Sequence, residues 1–326
     1  MPIRIGFIGA GSAARRHCEA LARLENAQIV AFCDIAARRA QEMAEFYDAA
    51  PYSSLPRMLA RENLDALYVC TPPHAHGAYE IAAIKAGCAL FIEPPIANNL
   101  RTAQSVLKAL GKSGGLCSVG HFWRYAEATT RLRKEIGGRN APQPLLLSGK
   151  WLAPPPATAW RRDLKSSGGI WLDDAYQLLD LTRLFGGEAK KVSAFAASLE
   201  IKNEFPEATT PDVCAAILEL QSGALASFGA ATMTESESQS KFSLSTREAQ
   251  FFLRGNRLKI TRGEEETHFK GADDAILAQN AAFLRAVESG KRTEIRTTYA
   301  DAVKTLRLAL ALNRASLGSK TVTLAP

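Results

Sequence analysis

Three sets of residues in this 326-residue chain have types and spacings that can do chemistry. The first is Gly9-Ala10-Gly11-Ser12-Ala13-Ala14, a Gly-x-Gly-x-x-Ala turn that directly follows the apolar run Ile3 to Ile8. Gly9 permits a tight turn, Gly11 lets the backbone approach a phosphate, and Ala14 is small enough for the next helix to pack on the strand. That helix, opened by Ser12 and Ala13, presents its first N–H groups and positive dipole end to a pyrophosphate. Asp34 ends the next apolar run, Gln28 to Cys33. It lies roughly twenty residues beyond the glycines, where a carboxylate receives ribose hydroxyls. A strand, turn and helix with purely structural glycines would have the same spacing, so the reading leans on Asp34. The carboxylate points to NAD by repelling a 2′-phosphate, and Arg38 nearby keeps NADP open.

The second set runs from Trp160 to Asp180. A helix is expected from Leu172 to Leu184, which puts Asp173 and Gln177 on one face at i and i+4. Asp173 is the acid–base candidate. Gln177 can orient a hydroxyl but cannot take its proton. Tyr176 is a further candidate, pointing about a hundred degrees from Gln177, and Asp174 is expected to be a solvated helix residue. Arg161, Arg162 and Lys165, with Arg124, either line a pocket for an acidic or polyhydroxylated substrate or pair with carboxylates at the surface. Trp151, Trp160 and Trp171 either stack on a sugar face or fill the core.

The third set holds histidines. His121 follows an apolar run and either reaches the cleft or bonds locally. His74 and His76 follow Thr71-Pro72-Pro73, which breaks a strand where a ligand crevice is expected. No Cys or carboxylate falls at matching spacing, so no metal site is read from them.

The elements that must position these groups come in two rhythms. Up to about His121, strands at Ile3–Ile8, Gln28–Cys33, Ala66–Cys70, Cys88–Ile92 and Leu116–Val119 alternate with helical patterns, which describes a doubly wound parallel sheet. Beyond it, strand-like runs at Leu145–Leu152, Val192–Ile201, Val213–Gln221, Ala224–Ala231 and three more before Thr261 are joined by short turns. Ser222-Gly223 marks a hairpin. The expected fold is α/β: an N-terminal Rossmann dinucleotide-binding domain, residues 1–121, and a C-terminal α+β domain, residues 122–326, with a mainly antiparallel open sheet. The last helix, Tyr299 to Ala315, is expected to pack back on the first domain.

Composition narrows the partners. The net charge of +7 arises from 40 basic and 33 acidic residues spread without long runs, which gives no case for nucleic acid. Six scattered cysteines in apolar patterns suit reduced, buried thiols in a cytoplasmic protein. No apolar run reaches the roughly eighteen residues of a membrane span. The chain opens on a core strand, so no signal peptide is expected.

Four landmarks fall in one order: Gly9-Ala10-Gly11, Thr71-Pro72-Pro73-His74-Ala75-His76, Glu93-Pro94-Pro95, and Ser167-Gly168-Gly169 running on to Asp180. Over essentially the whole chain this resembles the glucose–fructose oxidoreductase and inositol dehydrogenase (Gfo/Idh/MocA) family. The resemblance implies NAD(P)-dependent oxidation or reduction of sugars, cyclitols and related small molecules. It places Thr71, Pro72, His76, Glu93 and Pro94 at the nicotinamide side, and His121, Arg124, Trp160 and Arg161 toward substrate. It also implies a homo-oligomer, dimer or tetramer, built through the C-terminal sheet.

Two departures stand out. The family's Glu-Lys-Pro lysine is Pro94, which has neither a titratable group nor a backbone N–H. The histidine four residues after the family's aspartate is Gln177. A cis bond at Pro94 or Pro95 could still shape the loop. Three readings follow: an oxidoreductase with an altered site, a nucleotide-binding sensor, regulator or assembly protein without redox chemistry, or a lyase- or glycosidase-like enzyme that keeps NAD bound.

Overall fold

Short apolar strands separated by amphipathic helices build the first part of the chain. The computed structural model describes residues 1–138, 141–235, 238–272, 274–318 and 320–324. In chain order come β1 (Ile3–Ile8), α1 (Ser12–Leu21), β2 (Ala27–Cys33), α2 (Ala37–Tyr47), β3 (Ala50–Tyr52) and α3 (Leu55–Arg61). Then follow β4 (Ala66–Val69), α4 (Ala78–Lys85), β5 (Ala89–Ile92), α5 (Leu100–Ser113) and β6 (Cys117–Val119). The six strands form one parallel sheet in the order β3-β2-β1-β4-β5-β6. Every residue of β4 and β5 is buried, as expected of parallel strands covered by helices on both faces. The strand order reverses between β1 and β4, so the crevice for a ligand lies beyond their carboxyl ends, at Gly9 and at Cys70-Thr71.

The second part contains α6 (Glu127–Glu135), β7 (Leu146–Leu152), α7 (Ala159–Arg162), α8 (Leu164–Ser167), α9 (Ile170–Asp173) and α10 (Tyr176–Gly186). After them come β8 (Ala189–Ala197), α11 (Ile201–Glu204), β9 (Val213–Leu220), β10 (Leu225–Ala231), β11 (Gln239–Ser245), β12 (Gln250–Arg254), β13 (Arg257–Arg262) and β14 (Glu265–Lys270). The chain closes with α12 (Ala275–Ser289), α13 (Tyr299–Gly318) and β15 (Val322–Thr323). The nine-stranded sheet runs β14-β13-β12-β11-β7-β10-β9-β8-β15. Its neighbours are antiparallel except β7 and β10, which run parallel. Burial alternates along β9 and β10 with a period of two, so one face is packed and the other, carrying Phe195, Ile217 and Leu225, is exposed.

The chain divides into two compact units, Met1–Tyr125 with Asp274–Val303, and Ala126–Asp273 with Lys304–Pro326. The expected division after residue 121 therefore differs from the one observed. The part of the chain that joins the first unit comprises α12 and the opening turn of α13. Its Phe283 stands edge-on to Tyr68 and Phe91, with ring centres 5.6 and 5.4 Å apart, inside the core built on β1, β4 and β5. Such contacts between distant segments leave no local signal in sequence.

Two further differences matter for the site. The helix expected from Leu172 to Leu184 is two helices, α9 and α10, interrupted at Asp174-Ala175. There Ala175 N–H reaches back to the Ile170 carbonyl, five residues earlier, at 2.8 Å. The helical pattern from His74 is a short 3-10 turn (Pro73–Ala75) followed by α4, with Gly77 between them at φ 112°.

Candidate functional site

The first unit carries a nucleotide cradle. Gly9 has φ +89°, and a Cβ there would stand 2.4 Å from the Cys70 carbonyl oxygen, so only glycine lets β1 end beside β4. A Cβ at Gly11 would meet nothing, leaving open space at the start of α1, whose first turn has no side-chain cap. Uncapped N–H groups at a helix start facing open space suit a pyrophosphate. Ser12 is exposed and Ala13 half-buried at that start.

Asp34 ties the cradle together. One carboxylate oxygen accepts from Ala10 N–H and the other from Ala36 N–H, both at 2.8 Å. Buried at the end of β2, it fixes the glycine turn and the following loop at once. Each oxygen retains a lone pair for a ribose hydroxyl. Arg38 is exposed on α2 and pairs with Glu42 at 2.7 Å.

Around the ends of β4 and β5, His76, Glu80 and Glu93 are hydrogen-bonded within the unit. Both ring nitrogens of His76 are hydrogen-bonded: Nδ1 meets Glu80 at 2.5 Å, and Nε2–H donates to the Thr71 carbonyl at 3.0 Å. Glu80 also accepts from Gly77 N–H at 2.6 Å. These bonds tie Thr71, next to half-buried Pro72, to the start of α4. Glu93 ends β5, next to half-buried Pro94, and the Pro94–Pro95 bond is cis. The carboxylate bonds His17 Nε2, while His17 Nδ1 lies 3.1 Å from the Asn280 side-chain oxygen. Tyr68 donates to the same oxygen at 2.8 Å. Burial raises the Glu93 carboxyl, but the charge and hydrogen bond of His17, with Arg16 and His121 adding smaller pulls, hold it below its usual value.

His17 and Asn280 were not singled out from sequence. His17 lies on the buried side of α1 with Ala14, Cys18 and Leu21, and a histidine among them is the signal that could have marked it. His121 is fully buried just after β6. Arg124, expected at the substrate, is instead spent inside the first unit: it bonds the Arg296 carbonyl at 3.0 Å and Asp301 at 2.7 Å. Burial of the 3-10 turn Phe122–Tyr125 beside these groups decides this.

The second unit carries an acidic cluster. Arg161 donates through Nε to Asp173 and through Nη2 to Asp174, each at 2.6 Å. Asp174, expected to be solvated, is buried at the end of α9, where Arg161 meets its carboxylate. Burial, then the neighbouring Asp173 charge, pushes its carboxyl up to about 7 against the opposing pull of Arg161. Burial also raises Asp173, again against Arg161. The interruption at Asp174-Ala175 means Asp173 and Gln177 do not share one continuous helix face. Gln177 is half-buried, and Tyr176 is buried in the core.

Upstream, Trp160 is half-buried on α7. Arg162 is held by the Pro156 carbonyl at 2.8 Å and lies 4.0 Å over the Phe205 ring. Trp171 is core, with its indole N–H donating to Ser316 at 3.0 Å. Ser167-Gly168-Gly169 forms the sharp entry to α9: Gly168 has φ +78°, and a Cβ there would stand 2.1 Å from Leu172. Asp180 is buried and accepts from Thr305.

A parallel six-stranded sheet with a glycine turn and an acidic residue ending β2 defines a dinucleotide-binding Rossmann domain. Residues 3–121 match the family model described as an oxidoreductase family with an NAD-binding Rossmann fold, and residues 143–252 match the GFO/IDH/MocA C-terminal domain. The chain belongs to the Gfo/Idh/MocA oxidoreductase family. It is similar to a myo-inositol 2-dehydrogenase of Thermotoga maritima, 28% identical over 68% of this chain and 66% of that protein. It is also similar to a 4-carboxy-2-hydroxymuconate-6-semialdehyde dehydrogenase of Sphingobium, 33% identical over 41% of this chain and 43% of the other. The chain thus spans under two thirds of the length of these relatives. Among solved structures, the WlbA dehydrogenase of Bordetella pertussis, in complex with NADH and UDP-GlcNAcA, shares the fold at TM-score 0.84 and 22% identity over 100% of both chains. No helix among the described residues is long and apolar enough to cross a membrane.

Proposed function

We propose that the chain is an NAD(P)-dependent oxidoreductase acting on a small polar, sugar-like or cyclitol-like substrate. The observation that carries the reading is the cradle of Gly9, open Gly11, the uncapped start of α1 and the Asp34 carboxylate. The cyclitol class is supported by the name of the Thermotoga relative, an inositol dehydrogenase.

Ser12 and Ala13 hold the pyrophosphate through their backbone, and Asp34 receives the ribose. Its charge favours NAD over NADP, while exposed Arg38 leaves NADP accessible. Thr71, Pro72, Glu93 and Pro94 form the nicotinamide side, with His76 and His17 fixing them from behind. When bound, the cofactor supplies a hydride acceptor or donor. Asp173 takes the substrate proton, Gln177 orients the hydroxyl, and Arg161 with Trp160 sets charge and shape; His121 and Tyr176 act from buried positions. The exposed sheet face with Phe195, Ile217 and Leu225 is the surface for a homo-oligomer, dimer or tetramer. The six cysteines are all free thiols, which suits the reducing cytoplasm.

Titrating NAD and NADP, then assaying nicotinamide absorbance over a panel of cyclitols, sugars and hydroxy acids, tests this reading. Tight nucleotide binding with no turnover favours the second reading, a nucleotide-binding sensor, regulator or assembly protein, for which Pro94 and Gln177 are the motivation. The variant pair Pro94→Lys with Gln177→His separates the two. Wild type as fast as the restored variant excludes a redox-inactive protein. Product formation without net absorbance change marks the lyase- or glycosidase-like reading.

A further inference from the structure

We propose that Glu93 tilts a bound nicotinamide dinucleotide toward its oxidised form, and that His17 and Asn280 are positioning residues that hold the Glu93 carboxylate for this task. The inference rests on the oxidoreductase reading and concerns the first unit alone.

The order of the sheet assigns the strand ends. A doubly wound sheet takes a dinucleotide across the point where its strand order reverses, one nucleotide to each half. With Asp34 at the end of β2 receiving the adenosine ribose, the nicotinamide half falls to β4, β5 and β6. The residues that follow these strands are Cys70-Thr71, Glu93-Pro94 and Gly120-His121, and Glu93 is the only carboxylate among them. The oxidised nicotinamide ring is a cation and the reduced ring is neutral. A carboxylate at these ends therefore attracts the oxidised form and leaves the reduced form almost unaffected. Pro94, the next residue, adds no cation to cancel that charge.

The carboxylate is the outer member of its pair. The Glu93 side chain is 15% exposed and that of His17 is 1% exposed, so the crevice meets the negative end. The bond to His17 Nε2 uses one carboxylate oxygen, Oε1. Glu93 N–H donates to the Val69 carbonyl at 2.9 Å, which fixes its backbone beside β4. Gly120 leaves room on the other side, where a Cβ would stand 3.1 Å from both Glu93 Oε1 and Pro94 Cδ. The charge is felt at the end of β4: burial first, and then Glu93, hold the Cys70 thiol well above its ordinary value, so it stays neutral. Arg16 of α1 also faces Glu93, but it is exposed and water screens it; His121 pulls less than His17.

Positioning continues inward from the carboxylate. The His17 ring packs against Phe91 and Tyr68, with ring centres 4.8 and 5.3 Å away. Its Nδ1 lies 3.1 Å from Asn280 Oδ1, which also accepts from the Tyr68 hydroxyl at 2.8 Å. Asn280 Nδ2 in turn donates to the Ile276 carbonyl at 2.7 Å. Glu93 is thus held through a buried chain of bonds from β4, α1 and α12. A charge fixed in this way discriminates between the two rings, where a mobile one would relax around either. By linkage, tighter binding of the oxidised form lowers the reduction potential of the bound couple below that of the free one.

Titration calorimetry of the full chain with oxidised dinucleotide, reduced dinucleotide and ADP-ribose tests this in wild type, Glu93→Gln and Pro94→Lys. ADP-ribose lacks the nicotinamide and reports whether the fold and the cradle are intact. The expected result is an oxidised-to-reduced affinity ratio that falls about tenfold in both variants, through loss of affinity for the oxidised form. Affinity for ADP-ribose should stay at the wild-type level. His17→Phe should lower the ratio part of the way, and His17→Gln, which keeps an N–H for Oε1, should restore it. Lost packing alone would weaken all three ligands alike. An unchanged ratio in Glu93→Gln overturns the proposal. Should Glu93→Gln lose ADP-ribose as well, its fold has failed, and Pro94→Lys, which retains both partners of the His17–Glu93 bond, is judged by the same ratio. A wild type that binds none of the three ligands overturns the oxidoreductase reading and this role with it. That outcome is distinguished by the missing affinity for ADP-ribose.

Discussion

The imidazole of His17, on α1, and the carboxylate of Glu93, at the end of β5, are hydrogen-bonded in the interior of the first unit, and Asn280 of α12 meets the other imidazole nitrogen. One residue from each of three elements thus meets directly beside Pro94. A carboxylate in such a place depends on its partner. His17→Phe leaves half-buried Glu93 without one and should destabilise the fold by about 1–3 kcal/mol, whereas Glu93→Gln with His17 retained should do less harm. Denaturant unfolding of both single variants and the double variant measures the coupling. Because His17 holds Glu93 below its ordinary value of 4.5, the pair stabilises the fold above that pH, and the contribution fades as pH falls through the lower folded value. Wild type should therefore lose an acid-range increment of stability that His17→Phe lacks.

Gly9→Ala should abolish nucleotide binding and weaken the fold. The substitution meets both a positive φ and a backbone oxygen at 2.4 Å, which cannot move without displacing β4. A destabilisation of at least about 2 kcal/mol is expected. Gly11→Ala, with open space around it, should keep the stability of the wild type and lose affinity for NAD alone. Thermal unfolding beside NADH fluorescence titration separates the two effects.

Asp174 gives the second unit a pH dependence opposite to that of an ordinary salt-bridged aspartate. Its carboxyl sits near 7 in the fold against an ordinary 3.8, so the folded chain binds the extra proton between those values. This contribution to stability therefore falls as pH rises from about 4 to about 7 and is level above that. Asp174→Asn keeps an acceptor for Arg161 and removes the titration. The variant should equal or exceed wild-type stability at pH 8, on the order of 1 kcal/mol, with no such slope. Urea midpoints across pH measure it.

Arg124 should behave as a structural residue. Arg124→Met removes the bonds of a buried guanidinium to the Arg296 carbonyl and to Asp301. The cost expected is about 1–3 kcal/mol, with a fall in Tm of several degrees. The KM for substrate should stay within about twofold of wild type, which a residue contacting substrate would not allow. Steady-state kinetics below the melting range checks this.

The nucleotide cradle was legible in the sequence because each requirement is local. Gly9 needs a positive φ, Gly11 needs room, and Asp34 ends a strand; each is written at its own position. The altered positions Pro94 and Gln177 were legible for the same reason. What escaped is set by contacts between distant segments. Phe283 assigns α12 to the first unit by packing on Tyr68 and Phe91, and no pattern within α12 announces it. Arg124 and Asp174 have polar side chains whose default is exposure, and tertiary packing overrides that default for both. The break before Tyr176 was hidden because Asp173-Asp174-Ala175 carries neither Gly nor Pro, the residues that normally mark a helix end.

The parallel pairing of β7 with β10 has a consequence for how the chain is made. Leu146 pairs with Leu225 on one side and with Ser245 on the other, so β7 fits into a gap that only β10 and β11 can frame. During synthesis β7 emerges first and waits, with both edges open, until those strands follow. Hairpins such as β9–β10 and β12–β13 close locally; the insertion of β7 must come late and from far along the chain. A nascent or truncated chain ending before β10 leaves both edges of β7 unpaired and should be prone to aggregate. Assembly of the second unit is therefore governed by its first strand, which is the last to find its place.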